Sequence, residues 1–193
     1  MPNNKKTVRD LVAPADSAAI VDYLIDYFNK PDIPELYSEQ VAGIPVKGVH
    51  GLFSKEGKAG SYDRTIDREG RVKHKEILLD TDKESGGYGP SKFDAEKHPE
   101  VVSKDVWYER TPRNTLLHEA FGHGMLDAVY GYQKKPHFSR TETFPYMLSV
   151  YSQILKMKRE GVSEDDYIYR LHLDAFDELR EMSGKQLNIS KER

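Results

Sequence analysis

The most informative part of the sequence is residues 111–131, TPRNTLLHEAFGHGMLDAVYG. Thr111 is a good helix N-cap and Pro112 suits the first helical position. Gly131 is typical of the residue that ends a helix. The stretch therefore predicts one helix, and its composition determines which chemistry that helix carries.

Two histidines of this helix, His118 and His123, are residue types that bind metal ions, and Glu119 follows the first of them. On a regular helix, side chains five positions apart point about 140° apart. Both imidazoles reach one ion only if the helix gains a residue in that turn, as a π-bulge does, and such bulges are common at functional sites. Gly122 is the residue that best tolerates this distortion. We therefore predict a distorted helix between the two histidines.

The run HEAFGHG, residues 118–124, resembles the His-Glu-x-x-Gly-His motif of the dipeptidyl peptidase III family. The stretch around it also resembles zincin peptidases generally, including small effector and toxin peptidases. The resemblance covers about fifteen residues. It implies zinc chemistry on a helix packed below a small sheet, with His118 and His123 as zinc ligands and Glu119 as the general base. It does not imply exopeptidase activity, because the chain has no room for the domain that restricts peptide length in that family.

The resemblance also implies a third zinc ligand from a later helix. Glu142 is favoured because it lies 19 residues after His123, the usual separation in zincins whose third ligand is a glutamate. Glu178 is the alternative, since DELR, residues 177–180, resembles the Glu-Glu-x-Arg stretch that supplies a zinc-binding glutamate in dipeptidyl peptidase III. If Thr141 or Thr143 caps the next helix, Glu142 stands at its opening.

Asp127 and His137 are further candidates for that third position. Asp127 lies one turn beyond His123, where a carboxylate that orients the imidazole is the favoured role. The reaction also needs a hydrogen-bond donor for the developing oxyanion, commonly a tyrosine or a histidine. The sequence singles out none of the candidates, which are Tyr130, Tyr132, Tyr146, Tyr151 and His172. The remaining histidines are expected at the surface: His50, His74 and His98.

Residues 43–80, which precede the motif stretch in the chain, are rich in strand-forming residues and predict two or three antiparallel strands. Gly70 suits the hairpin loop between two of them. Residues 71–80, RVKHKEILLD, are the expected sheet edge to which a substrate strand would add. Residues 81–104 lack periodicity and predict a long loop.

Helices are predicted at residues 15–30, from about Thr143 to Glu160, and from a Ser163 cap to about Met182. The fold class is therefore α+β and zincin-like. A small antiparallel sheet at 43–80 packs on the active-site helix, and helices occupy 111–183. We expect residues 1–193 to form a single domain.

The composition limits the function classes. Cysteine is absent, so any metal is bound through nitrogen and oxygen. The net charge is −3, with 29 basic and 32 acidic residues interspersed, which argues against nucleic-acid binding. No apolar run approaches the roughly 18 residues of a membrane span, and the first residues lack the pattern of a secretory signal. We expect a cytoplasmic protein or one exported by a signal-independent route. The sequence does not predict the oligomeric state.

The leading hypothesis is a zinc metallopeptidase that hydrolyses peptide bonds in a peptide or protein substrate, and its small size is consistent with an effector or toxin peptidase. One alternative is a non-catalytic metal-binding or interaction domain, and another is a zinc amidase that acts on a non-peptide amide. Glu119 favours an enzyme, because a structural metal site needs ligands only, whereas a hydrolase also needs a base.

Overall fold

The computed structural model describes residues 5–99, 102–131 and 138–189, and within these ranges the chain is a mixed α+β structure with two small sheets. The helices are α1 (Val8–Leu11), α2 (Pro14–Phe28), α3 (Ile33–Gln40), α4 (Leu52–Glu56), α5 (Pro112–Leu117), a π-helical segment (His118–Gly124), α6 (Met125–Tyr130), α7 (Phe138–Arg159) and α8 (Tyr167–Gln186). The strands are β1 (Val46–Val49), β2 (Gly60–Ile66), β3 (Val72–Asp80), β4 (Gly89–Phe93) and β5 (Val106–Arg110). We call the continuous run Pro112–Tyr130 the motif helix.

The first sheet has the strand order β1-β3-β2. Strands β2 and β3 form the predicted antiparallel hairpin, in which the amide of Asp67 donates to the carbonyl of Arg71 at 2.9 Å and Gly70 has φ 81°. Strand β1 is parallel to β3, so the prediction of a purely antiparallel sheet is wrong. The reason is α4, which reverses the chain after β1 and lets β2 pair on the opposite side of β3.

The prediction that residues 71–80 form the edge of the sheet is also wrong. Strand β3, which contains most of residues 71–80, is the central strand and has a neighbour on each side. The edge that faces the motif helix is β2, where the ring of Tyr62 stacks on His123 with ring centres 6.2 Å apart. The alternation of polar and apolar residues in RVKHKEILLD does not distinguish an edge strand from a central strand. Whether a strand is paired on both sides depends on residues far away in the chain.

A second sheet occupies part of the region that was predicted to be loop. Strands β4 and β5 pair antiparallel, with Phe93 opposite Val106. The sequence of β4, GPSKF, has only one large apolar residue, so no periodicity marks it. Strand β5 leads through Thr111 directly into the motif helix, and Arg110 therefore lies next to it.

The predicted helices are present with different starts. Helix α7 begins at Phe138 instead of Thr143, and α8 begins after Asp166, whose carboxylate accepts bonds from the amides of Ile168 and Tyr169. Ser163 is therefore not the cap, and α3 was not predicted. Buried side chains from α2, the motif helix, α7 and α8 belong to one apolar cluster, including Leu24, Leu117, Phe121, Phe144, Leu148 and Leu179. Among the described residues, no helix combines the length and apolar character needed to cross a membrane.

Candidate metal centre

The motif helix begins and ends as predicted. Oγ1 of Thr111 accepts a hydrogen bond from the amide of Asn114 at 3.0 Å, and Pro112 lies in the first turn. Gly131, with φ 69°, follows the last helical residue. Between these ends the helix widens into the π-helical segment. The distortion predicted between the two histidines is confirmed.

The π-helical segment brings His118 and His123 to the same side of the helix. A π-helix bonds residue i to i+5, so residues five positions apart face the same way. The two imidazole ring centres lie 5.3 Å apart. A spacing of five residues would point these two side chains apart on a regular α-helix. In the π-helical segment the same spacing brings them together.

Gly122 is required for helix packing as well as for backbone freedom. A Cβ built on Gly122 would lie 2.5 Å from Cβ of Pro145 and 2.8 Å from its Cα. These separations are below any ordinary contact, so a larger residue would push α7 away from the motif helix. Pro145 lies inside α7, which carries Glu142. The glycine of the motif thus sets the distance between the two helices that form the site.

Glu142 brings a carboxylate to both histidines. Its Oε2 lies 3.5 Å from Nε2 of His118, and its Oε1 lies 3.4 Å from Nε2 of His123. One donor atom from each of the three residues lies within 4.8 Å of the others. Among the described residues, these three form a group that could hold a metal ion.

Glu142 does not stand at the opening of its helix. Because α7 starts at Phe138, Glu142 lies in the second turn. Thr143 is fully buried within the helix and does not cap it. The side chain of Thr141 lies outside the described part of the chain. The convergence on the histidines comes from the close packing of α7 on Gly122, and not from a helix start.

Glu119 lies beside the three-residue group without belonging to it. Its side chain is buried, and its Oε2 is 3.9 Å from Nε2 of His123. Burial and, to a smaller extent, the charge of Glu142 raise the pKa of Glu119 to about 7, although the charge of His118 opposes the shift. A carboxyl group with a pKa near 7 can both accept and release a proton at neutral pH.

The three grouped side chains have different proton affinities. Burial lowers the pKa of His123 to about 4, and the charge of His118 adds to this effect. Burial alone would lower the pKa of His118, but the hydrogen bond that its imidazole donates to Glu142 and the charges of Glu119 and Glu142 raise it. Burial would raise the pKa of Glu142, but its bond to His118 and the charges of both histidines lower it. His123 is therefore neutral at neutral pH, whereas the opposite shifts of His118 and Glu142 reflect the contact between them.

His118 is oriented by α7. Its Nδ1 lies 3.2 Å from Oγ of Ser149, which in turn donates to the carbonyl of Pro145 at 3.2 Å. Because the hydroxyl proton of Ser149 is used in that bond, its oxygen accepts from Nδ1, and Nε2 faces Glu142. The ring of Tyr146 packs edge-on against the imidazole with centres 4.9 Å apart.

Asp127 does not act on His123 by the predicted direct contact. Its carboxylate accepts a hydrogen bond from the hydroxyl of Tyr62 at 2.7 Å and pairs with the guanidinium of Arg64. Tyr62 stacks its ring on His123. Asp127 thus fixes β2 against the motif helix, and it reaches the imidazole only through Tyr62.

The group opens into a cleft of about 560 Å³. One wall is β2 with the residues before it, and another is formed by the end of β5 and α7. Of the candidate oxyanion donors, Tyr130 and Tyr146 line the cleft. Tyr151 packs on Tyr23 and Phe176, and His172 bonds the carbonyl of Ile168, so neither belongs to the cleft wall. Tyr132 and His137 lie outside the described residues.

The other sequence candidates lie elsewhere. Oε1 of Glu178 accepts bonds from the amide and hydroxyl of Ser103, at 2.7 and 2.9 Å, and it is not part of the group that could hold a metal. His50 and His74 are exposed, as predicted. His98 is half-buried and stacks on Phe93, so its placement at the surface is only partly right.

Sequence reasoning missed Ser149, although a signal for it was present. Glu142, Tyr146 and Ser149 are spaced i, i+4 and i+7, which places them on one face of a helix. Polar side chains that share one face of a helix packed in the core indicate a functional site. Arg110 was missed as well, because β5 was not predicted.

The donor set could hold a metal ion. Two imidazole nitrogens and one carboxylate oxygen are the ligands of many zinc sites, and donors bound to one tetrahedral zinc ion lie about 3.3 Å apart. Here the 3.5 and 3.4 Å separations from the two histidines involve different oxygens of Glu142, and one donor atom from each of the three residues lies within 4.8 Å of the others. No protein-family model, curated protein or solved structure matches this chain. The function is therefore argued from the geometry of the site.

Proposed function

We propose that this protein is a zinc-dependent metallopeptidase of zincin-like fold, with His118, His123 and Glu142 as zinc ligands and Glu119 as the general base. The observation that carries the proposal is the convergence of two histidines and a glutamate on one point, with a buried carboxylate beside it. The π-helical segment supports it, since this costly distortion has the direct effect of uniting the histidines.

The number of donors favours catalysis over a structural site. Structural zinc sites are closed by four protein ligands, whereas catalytic sites use three and leave one position open. Among the residues that the structure describes, the group has three members, and it faces a cleft of about 560 Å³. A substrate therefore has room to approach the open side.

Glu119 is placed to move a proton. Zinc bound by the three ligands would lower the pKa of a water molecule towards 7 and polarise the scissile carbonyl. Oε2 of Glu119 accepts the proton of the attacking water and later delivers it to the amine that leaves. Its pKa of about 7 suits both transfers.

Tyr146 supplies a donor for the oxyanion. Its ring contacts His118 and its side chain lines the cleft. Burial raises the pKa of Tyr146 well above its usual value, so the hydroxyl keeps its proton at neutral pH and donates it in a hydrogen bond. A donor of this kind stabilises negative charge that develops on the carbonyl oxygen.

A peptide is the proposed substrate because β2 is a sheet edge. Residues Gly57–Tyr62 line the cleft next to the motif helix. An extended peptide that adds to a sheet edge gains main-chain hydrogen bonds along its length. This arrangement would hold a scissile bond parallel to β2 and close to Glu119.

The decisive experiment combines metal analysis with Glu119→Gln. We expect the purified protein to bind about one zinc per chain and to cleave members of a peptide mixture, with cleavage detected by mass spectrometry. Glu119→Gln should abolish cleavage and retain zinc, because Glu119 is not a ligand. Glu178→Gln is the matched control, since that carboxylate bonds Ser103 outside the site, and it should keep both properties.

The outcomes separate the alternatives. Retained zinc with no hydrolysis of any amide by the wild type would indicate a structural metal domain. Cleavage of small non-peptide amides but of no peptide would indicate an amidase. Loss of zinc in Glu119→Gln would mean that Glu119 is a ligand and that its assigned role is wrong.

A further inference from the structure

Arg110, the last residue of β5, lines the same cleft as the metal-binding group. Its Nη2 donates to the hydroxyl of Tyr108 at 2.8 Å, and its Nη1 lies 3.5 Å from the carbonyl oxygen of Gly87. It also interacts with the hydroxyl of Tyr146. A guanidinium has five N–H donors, so these contacts leave donors free for a ligand.

Within residues 5–99, 102–131 and 138–189, no carboxylate pairs with Arg110. Other half-buried arginines are neutralised: Arg64 pairs with Asp127, and Arg113 pairs with Asp16. A cation removed from water is unfavourable unless an opposite charge accompanies it. A ligand that brings a negative charge to Arg110 would supply this partner.

Arg110 is close to the metal-binding group through a row of rings. Its guanidinium carbon lies 5.8 Å from the ring centre of Tyr108, and that ring lies 5.2 Å from the ring of Tyr146. Tyr146 lies 4.9 Å from the ring of His118. Arg110 and the metal-binding group also line one cleft, so a molecule bound in it can contact both.

We infer that Arg110 binds a carboxylate of the substrate close to the bond that is cleaved, and so selects peptides that have a C-terminal carboxylate or an acidic side chain at that position. The inference rests on the proposed hydrolase function. The planar fork of a guanidinium matches a carboxylate with two parallel hydrogen bonds. The acidic side chains of Glu109, Glu119, Asp127 and Glu142 line the same cleft, which disfavours a doubly charged phosphate.

Three small hydroxamates test the inference, because a hydroxamate chelates zinc and holds the rest of the molecule in the cleft. The first carries glycine with a free C-terminal carboxylate, the second carries glycine amide, and the third carries aspartate amide with a free side-chain carboxylate. Each is made with two linker lengths. Binding to the zinc-loaded protein is measured by isothermal titration calorimetry for the wild type, Arg110→Gln, Arg110→Lys and Lys58→Gln.

We expect the wild type to bind one of the carboxylate probes at least about tenfold more tightly than the glycine amide. Arg110→Gln should lose this preference and bind the glycine amide as the wild type does, which also shows that its fold and metal site are intact. Arg110→Lys keeps the charge without the fork and should be intermediate. Lys58→Gln removes another cation of the cleft lining and should keep the preference.

The probe that gains affinity identifies the source of the carboxylate. Equal affinity of the wild type for all three probes would overturn the inference and leave the proposed function standing. A preference that disappears in Lys58→Gln and persists in Arg110→Gln would also overturn it. If no probe binds and the protein retains no zinc, the proposed function fails, and the inference fails with it.

Discussion

One helix supplies the neighbours of both nitrogens of His118. Ser149 accepts from Nδ1 and Glu142 faces Nε2, and both residues belong to α7. A hydrogen bond at one nitrogen fixes the tautomer and directs the lone pair of the other. The orientation of this imidazole therefore depends on a serine that has no part in holding an ion.

Replacing Ser149 by alanine should weaken zinc binding by about 10- to 100-fold, the usual effect of losing a group that orients a ligand. The side chain is buried, and the change removes only a hydroxyl. Competition with a chromogenic chelator measures the affinity. Ser91→Ala removes a hydroxyl that donates to the carbonyl of Gly89 and is not part of the metal-binding group, and it should leave zinc affinity unchanged. Wild-type affinity in Ser149→Ala would show that Ser149 does not orient His118.

The two glutamate candidates should differ strongly. Glu142→Ala should weaken zinc binding by at least about 10- to 100-fold, because it removes the carboxylate between the two imidazoles. Glu178→Ala should leave zinc affinity near that of the wild type, since its carboxylate bonds Ser103. The same chelator assay compares them. The reverse order of effects would transfer the third ligand to Glu178.

The contact between the π-helical segment and α7 depends on the size of the side chain at position 122. Gly122→Ala would place its Cβ 2.5 Å from Cβ of Pro145, so the two helices must separate. We expect a loss of stability of about 1–3 kcal/mol from overpacking, together with weaker zinc binding as Glu142 moves away. Chemical denaturation and the chelator assay measure the two effects.

Gly124→Ala is the matched control for Gly122→Ala. It lies in the same π-helical segment, but its Cβ would meet Val41 at 3.5 Å, an ordinary contact. We expect its stability and zinc affinity to remain close to those of the wild type. Equal losses of stability and zinc affinity in the two variants would mean that the π-helical segment tolerates a Cβ at neither position, and that the contact with Pro145 is not the cause.

The elements that the sequence predicted are those with local signals. Thr111, Pro112 and Gly131 mark the ends of the motif helix by chemistry that acts within one turn. The π-helical segment was predictable because no regular helix unites His118 with His123. Strands β4 and β5 were not predictable, since GPSKF gains its strand conformation only by pairing with residues 106–110. The Gly122–Pro145 contact was hidden for the same reason, because it joins residues far apart in the chain.

At the scale of the whole molecule, the candidate centre connects parts that the chain keeps apart. The motif helix supplies the histidines, α7 supplies the carboxylate, and the edge strand β2 supports one imidazole and forms a wall of the cleft. A metal ion at this point would join the motif helix to α7. Metal binding should therefore raise the stability of the whole fold.

The pH dependence of that stabilisation has a definite sign. Although burial opposes it, the contact with Glu142 raises the pKa of His118 above its usual value of 6.5. The stability that this proton gives the metal-free protein is complete below pH 6.5 and is lost as pH rises through the folded-state pKa. Zinc requires the unprotonated imidazole, so its affinity rises over the same range. His123, with a pKa of about 4, is already neutral over this pH range. Glu119, with a pKa of about 7, loses its proton as pH rises, as His118 does.

We therefore expect the increase in melting temperature caused by equimolar zinc to grow between pH 6 and pH 8. Thermal unfolding with and without zinc at pH 6, 7 and 8, in buffers that do not bind zinc, measures this difference. Glu142→Ala is the control and should show a small increase at every pH, because it lacks one of the three donors. A zinc effect in the wild type that is constant, or largest at pH 6, would mean that the ion does not displace a proton from His118.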